Sequence, residues 1–289
     1  MVAYHRPMTL EEALAIRRAR PVTVLAGGTD VYPAWAARAG WGDRHHAEIL
    51  DISAIPGLRG LGEASDHWRI GALTTWTDIS CASLPPLFDG LKLAAREVGG
   101  VQIQNRGTLA GNICTASPAG DGAPNLLVLD AKVELASQDG RRIVAMADFI
   151  DGYRHTVCRP DEIVTAILVP KHGRGTQSRF LKLGARKYLV ISILMVAGSI
   201  ETDAAGRIAA ARLAVGACSP TPQRLLALEA LLIGQPPRAA ADLVAAAHAQ
   251  VLSPIDDIRG SAAYRRAAAL ALTRDLLREV AADQRPGRD

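Results

Sequence analysis

Gly107-Thr108-Leu109-Ala110-Gly111-Asn112-Ile113-Cys114-Thr115-Ala116-Ser117-Pro118-Ala119-Gly120-Asp121 is a run of small and hydroxylated residues that ends in an acid. A shorter counterpart lies upstream, Ala26-Gly27-Gly28-Thr29-Asp30. Small side chains at this density let backbone N–H groups come close to an anionic ligand, because nothing blocks the approach and a positive φ costs glycine little. A turn explains one glycine pair. Two such segments, one of them carrying Thr108, Asn112, Thr115 and Ser117 as polar groups that a turn does not need, point to one large phosphate-bearing ligand between them.

Both segments sit at junctions of regular structure. Residues 21–25 read as a buried strand that runs into Ala26-Gly27-Gly28, with a helix-like stretch at 31–39 behind it, the arrangement by which α/β folds present backbone donors to phosphates. A helix over 87–98 stops at Gly99-Gly100 and delivers the chain through Val101 to Arg106 into the longer glycine segment, read as a loop. Around these, Thr9 caps a short amphipathic helix, and strands are expected at 48–52, 68–72, 132–137, 142–146 and 161–170, with a hairpin turn at Asp139-Gly140. The glycines of 56–62 are spaced for turns and carry no nucleotide role. Residues 171–177 mark a domain boundary. Beyond it, strands at 178–185, 190–202 and 207–217 precede alanine-rich helices at 223–233, 238–251 and 261–280, which makes a small antiparallel sheet with helices packed on it.

The 289 residues suffice for two domains, and 49% hydrophobic content with a mean hydropathy of +0.11 excludes a disordered chain. Apolar runs such as 189–197 fall short of the roughly 20 residues of a spanning helix. The N-terminus lacks a secretory profile, so a cytoplasmic protein is expected. A net charge of +4 and 4% aromatic residues are poor material for nucleic-acid binding. Cys81, Cys114, Cys158 and Cys218 are far apart, with no CxxC, and suggest neither a disulfide framework nor a metal site. The seven histidines, including the adjacent His45 and His46, read as surface or structural groups.

The chain resembles the FAD-binding medium subunits of the molybdenum hydroxylases, such as carbon monoxide dehydrogenase and bacterial xanthine dehydrogenase. The resemblance is carried by Ala26-Gly27-Gly28-Thr29-Asp30, by the stretch from Gln102 to Asn112, by Ala116-Ser117-Pro118-Ala119-Gly120-Asp121, and by a C-terminal match from Asp256 to Arg266. It implies an α+β chain. A p-cresol methylhydroxylase-type FAD domain over 1–173, made of two α/β subdomains at about 1–55 and 56–173, would precede a C-terminal carbon monoxide dehydrogenase flavoprotein-like domain over 174–289. Leu25, Ala26, Gly27, Gly28, Thr29, Asp30 and Val31 would wrap the FAD pyrophosphate from one side. Gly107, Thr108, Gly111 and Asn112 would bind it from the other, with Ile103, Cys114, Thr115, Ser117 and Gly120 nearby. Asp121 matches an acid near the sugar or ribityl hydroxyls. Val98, Ile163 and Val164 match positions around the isoalloxazine, and Lys182 a basic residue near the flavin; Tyr188 reads as ordinary packing, with a place over the ring as the alternative.

The same resemblance implies a large partner subunit with a molybdenum cofactor and a small one with [2Fe–2S] clusters. FAD on this chain would pass their electrons to NAD, oxygen, a quinone or another acceptor. No residue here need be a nucleophile or general acid, and no metal site is expected in this chain. Two departures stand out. Ala110 replaces a usual glycine, which would weaken FAD binding if that position needs a positive φ, and Gln104 stands where arginine is frequent. Ala110 keeps open a flavin-free scaffold subunit as an alternative. A stand-alone flavin oxidase of the vanillyl-alcohol oxidase type is the other, although the residues after the boundary are few for its substrate domain.

Overall fold

The computed structural model describes residues 3–43, 47–173 and 175–283. His45, His46, Arg174 and the polar tail from residue 284 lie outside the described residues. The chain begins with a parallel three-stranded sheet in the order β1-β3-β2, formed by β1 (Tyr4–His5), β2 (Val22–Leu25) and β3 (Glu48–Asp51). Helices α1 (Leu10–Ala19) and α2 (Val31–Gly40) make the connections. Thr9 caps α1 by accepting a hydrogen bond from the Glu12 amide at 3.2 Å, as its threonine-then-acid pattern predicts. Ala13 and Leu14 bury the inner face of α1 against Val22, Leu50 and Ile52.

A five-stranded antiparallel sheet follows, in the order β4-β5-β10-β6-β7. Its edge hairpin is β4 (Leu61–Glu63) with β5 (His67–Gly71). The chain then forms five helices, α3 (Trp76–Cys81), α4 (Asp89–Glu97), α5 (Val101–Gln104), α6 (Leu109–Thr115) and α7 (Gly122–Val128). Strands β6 (Lys132–Ser137) and β7 (Gly140–Ala145) make the hairpin expected at Asp139-Gly140. After α8 (Met146–Phe149) and the short pair β8 (Ile150–Gly152) and β9 (His155–Thr156), the central strand β10 (Ile163–Pro170) returns between β5 and β6. Its near-continuous apolar run is explained by burial on both faces.

The C-terminal part is a four-stranded antiparallel sheet in sequential order, β11 (Gln177–Leu183), β12 (Leu194–Thr202), β13 (Ile208–Gly216) and β14 (Gln223–Arg224). Helices α9 (Leu226–Leu232), α10 (Pro237–Ala240) and α11 (Ala262–Asp283) follow. Successive side chains of a strand face opposite ways. In β12, Met195 and Ala197 therefore join the core that contains Phe88, Leu91 and Leu126 of the preceding helices, while Leu194 and Val196 join Leu276, Leu277 and Val280 of α11. The sheet is thus sandwiched, which is why β12 is apolar on both faces from Leu194 to Ala197. No helix among the described residues is long and apolar enough to cross a membrane.

Four sequence expectations need correction. The helix expected from residue 223 begins only at Leu226, because Gln223 and Arg224 pair with β13 as β14. The glycine segment expected as a loop contains α6, whose N-cap Thr108 accepts from the Gly111 amide at 2.9 Å. The strand expected from residue 190 starts only at Leu194, because Leu189 takes a left-handed backbone (φ +53°) and residues 184–193 form a connecting loop. The single helix expected over 238–251 is broken into α10 and two 3₁₀ turns, Ala241–Leu243 and Ala246–Ala249. Alanine propensity favours a continuous helix, but burial of Val244 and Ala249 in the C-terminal core and the hydrogen bond from Arg274 to the Val244 carbonyl (2.7 Å) override it.

Candidate functional site

The two glycine segments meet. A Cβ placed on Gly27 would lie 1.8 Å from the Arg106 carbonyl oxygen and 3.1 Å from the Gly107 Cα, so the first turn rests backbone-to-backbone on the start of the second. Gly28 adopts φ +74°, a conformation L side chains rarely take, with Tyr32 packed over its Cα. Among the described residues, no acceptor takes the amide N–H of Gly28, Thr29 or Asp30. These donors open onto a cleft of about 710 Å³ that also receives α6 and the Ser117–Asp121 segment.

On the α6 side, Asn112 is the organising side chain. Its Oδ1 accepts from the Gly122 amide at 3.0 Å, and a Cβ on Gly120 or Gly122 would approach that oxygen to 3.1 or 2.7 Å. The glycines flanking Asp121 are thus small because the Asn112 amide occupies the space. Its Nδ2 has no partner among the described residues. The helix stops at Ala116, which takes the left-handed conformation (φ +48°) just ahead of Ser117-Pro118. Ala110 is an ordinary interior position of α6 with no positive φ, so the methyl group in place of glycine strains nothing.

One end of the cleft borders the C-terminal sheet. Asp121 is buried, and its carboxylate accepts from Lys182 Nζ (2.7 Å) and from Ser192 Oγ (2.8 Å). Lys182 is only 5% exposed and also donates to the Glu97 carbonyl at 3.2 Å, so it is no solvated strand residue. Burial pushes the Asp121 carboxyl up, against the opposing pull of Lys182 and the Ser192 hydroxyl. Val98, Val190 and Ile191 supply apolar wall here.

The other end lies between α1, β2 and the start of β10. Arg17 lines it and donates through NH1 to the Val22 carbonyl, while its buried Nε has no hydrogen-bond partner. Glu162 is held by Arg142 through two bonds of 2.5 and 2.7 Å and by the Arg159 amide at 2.7 Å. Burial works against its charge, but these donors outweigh that cost and hold the carboxyl below its ordinary range.

Of the residues expected to bind FAD, all but Leu25 line this cleft. Leu25 is buried in β2, its Cδ1 3.4 Å from where a Gly28 Cβ would be, and it supports the turn from behind. Ile163 and Val98 do not share a core cluster: Ile163 packs with Leu14 and Val22, Val98 against the helices of the second sheet. Tyr188 is 59% exposed and does not line the cleft, with the Lys187 ammonium 5.3 Å from its ring centroid. Sequence reasoning missed Arg17, Trp76, Arg154, Ile191 and Ser192. Arg17 looked like one more arginine on an amphipathic helix, and nothing in the spacing of Ser192 ties it to an acid 71 residues earlier.

Residues 1–172 match the family described as the FAD binding domain in molybdopterin dehydrogenase, and residues 179–280 the CO dehydrogenase flavoprotein C-terminal domain. The nicotinate dehydrogenase FAD-subunit of Eubacterium barkeri is 32% identical over 81% of this chain and 80% of its own length. The nicotine 6-hydroxylase medium subunit of Paenarthrobacter nicotinovorans is 29% identical over 97% and 98%. A chain of the reconstituted CO dehydrogenase from Oligotropha carboxidovorans superposes with a TM-score of 0.90 at 26% identity, covering 98% of both chains. With both parts of the chain matched in order, and the glycine turns, α6 and the C-terminal sheet meeting at one cleft, the protein belongs to the FAD-binding medium subunits of the molybdenum hydroxylase family.

Proposed function

We propose that this chain carries electrons for a multi-subunit molybdenum hydroxylase, taking them from [2Fe–2S] clusters on a small partner subunit and delivering them to an external acceptor such as NAD, oxygen or a quinone. Substrate would be oxidised at a molybdenum cofactor on a large partner subunit. The reading is supported by the family of the chain and by relatives whose names describe medium or FAD subunits. Bound flavin supplies the chemistry, exchanging electrons singly or in pairs between one-electron and two-electron partners. The protein's share is to bind, orient and tune.

The cleft fits a flavin dinucleotide on its own chemistry. Its volume lies in the range of cofactor sites. Unpartnered amides of Gly28, Thr29 and Asp30 and the free amide group of Asn112 offer donors to a diphosphate without any lysine or metal. In the reading proposed here, Ala26 to Val31 and Gly107 to Asn112 hold the pyrophosphate, and Ile103, Cys114, Thr115, Ser117 and Gly120 complete the wall. The flavin ring lies toward Val98, Val164 and Lys182, with Asp121 at the ribityl hydroxyls beside it. Ile163 serves the opposite wall with Arg17, a departure from its expected place beside the ring. The division into domains at 1–173 and 174–289 is part of the same proposal.

The observation that carries the reading is the contact of Gly27 with Arg106 and Gly107, which builds one cradle from two segments about 80 residues apart in sequence. The ordinary backbone of Ala110 removes the motive for a flavin-free scaffold. The test is copurification at native expression followed by mass spectrometry and visible absorbance. A yellow chain accompanied by molybdenum and iron–sulfur subunits is expected. A colourless chain that FAD cannot reconstitute overturns the flavin reading, and a yellow chain without those partners overturns the assembly.

A further inference from the structure

The Asp121–Lys182–Ser192 cluster is assembled from both parts of the chain and buried in the cleft wall. We propose that it is a potential-setting device, in which Asp121 cancels the charge of Lys182 at the flavin end of the cleft and Ser192 positions that carboxylate. The inference rests on the ring placement given under the proposed function.

Lys182 projects from β11 and Ser192 from the loop before β12, and both reach the acid that follows Gly120. Lys182 and Asp121 are each 5% exposed at the side chain, so their charges are poorly screened by solvent. The half-buried Glu97 faces this pair and, on its other side, the exposed Lys187. Within the buried pair itself, one cation and one anion leave no net charge. A reduced flavin is anionic near N1, and a cation placed there favours the reduced form, whereas a neutralised pair does not. The second lysine donor bond, to the Glu97 carbonyl at 3.2 Å, fixes Nζ at the end of α4 and keeps the ammonium from turning toward the cleft. The Ser192 hydroxyl donates to Asp121 Oδ1, and the residue is 1% exposed. It is a positioning residue that acts through the carboxylate.

The test is spectroelectrochemical titration of the full chain loaded with FAD, comparing Asp121→Asn, Ser192→Ala and Ser192→Thr with the parent. Asn keeps the shape of Asp121 and exposes the ammonium charge, so the reduction equilibrium should shift toward reduced flavin by tenfold or more, about 30 mV for a two-electron couple. Ser192→Ala removes one donor from the carboxylate, strengthens its negative field and should shift the equilibrium the opposite way by a few-fold. Ser192→Thr keeps the hydroxyl and should restore the parent value. Loosened packing alone would move both variants in the same direction. Shifts of one sign, or unchanged potentials, overturn the proposal. If Asp121→Asn fails to retain FAD, Ser192→Ala decides: an unmoved potential, or one Thr does not restore, refutes it. Failure of the parent chain to bind FAD at all refutes instead the functional reading on which the inference rests.

Discussion

Gly27→Ala is the most direct probe of the cradle. The added methyl would sit 1.8 Å from the Arg106 oxygen, 2.6 Å from its carbonyl carbon and 3.1 Å from the Gly107 Cα. A carbon and an oxygen need about 3.3 Å, so the two segments must part by about 1.5 Å. All three opposing atoms are backbone, and no rotamer can relieve the clash. In the unloaded protein the segments can separate, at an overpacking cost of about 1–3 kcal/mol. A ligand held from both sides needs them together again. The penalty therefore falls mainly on binding, and FAD affinity should drop by about tenfold to a hundredfold, since each factor of ten is about 1.4 kcal/mol. Titration of the apoprotein with FAD, followed by flavin fluorescence, measures this, with far-UV circular dichroism as a check on folding. Gly62→Ala in β4, where a Cβ meets nothing within 4 Å, is the control and should bind as the parent does. Unchanged FAD affinity in Gly27→Ala would refute the two-sided cradle.

Asn112→Asp keeps the acceptor for the Gly122 amide but sets a negative charge beside the diphosphate, so FAD affinity should fall at least tenfold at low salt and partly recover at high salt, as read by the same titration. Thr108→Ala removes the α6 cap and should cost about 1 kcal/mol in urea unfolding; a loss below a few tenths would show that the tertiary contacts of α6 make the cap redundant. Glu162, whose carboxyl is held below the ordinary 4.5, stabilises the fold fully above that value and progressively less as the pH falls through its lowered native pKa. Glu162→Gln should therefore destabilise the chain near pH 7 and flatten its loss of stability as the pH falls below the ordinary carboxylate range, and an unchanged acid slope in the variant would contradict the assignment.

Much of the architecture was legible because it depends on local chemistry. Thr9 with an acid three residues on, Gly99-Gly100 after a helix, Asp139-Gly140 between alternating strands and the nearly all-apolar β10 each act within a few residues, and each appears where expected. The broken helix at 238–251 shows the converse, since core burial of Val244 and a distant arginine outweigh alanine's propensity. The site followed the same division. Residues within the glycine segments were identified because small size is itself the signal, whereas Arg17 and Ser192 are ordinary residues until the fold carries them to the cleft.

The sequence alone determined that two glycine segments exist, what elements flank them and which family they resemble, because backbone conformation and small side chains are written locally. Only the tertiary structure decided that Gly27 lies on Arg106, that Asn112 fills the space between Gly120 and Gly122, and that Asp121 spends its charge on Lys182. Those outcomes depend on which surfaces meet when distant segments pack. A carboxylate's partner across 61 residues is set by sheet order and layer packing, which no spacing along the chain records.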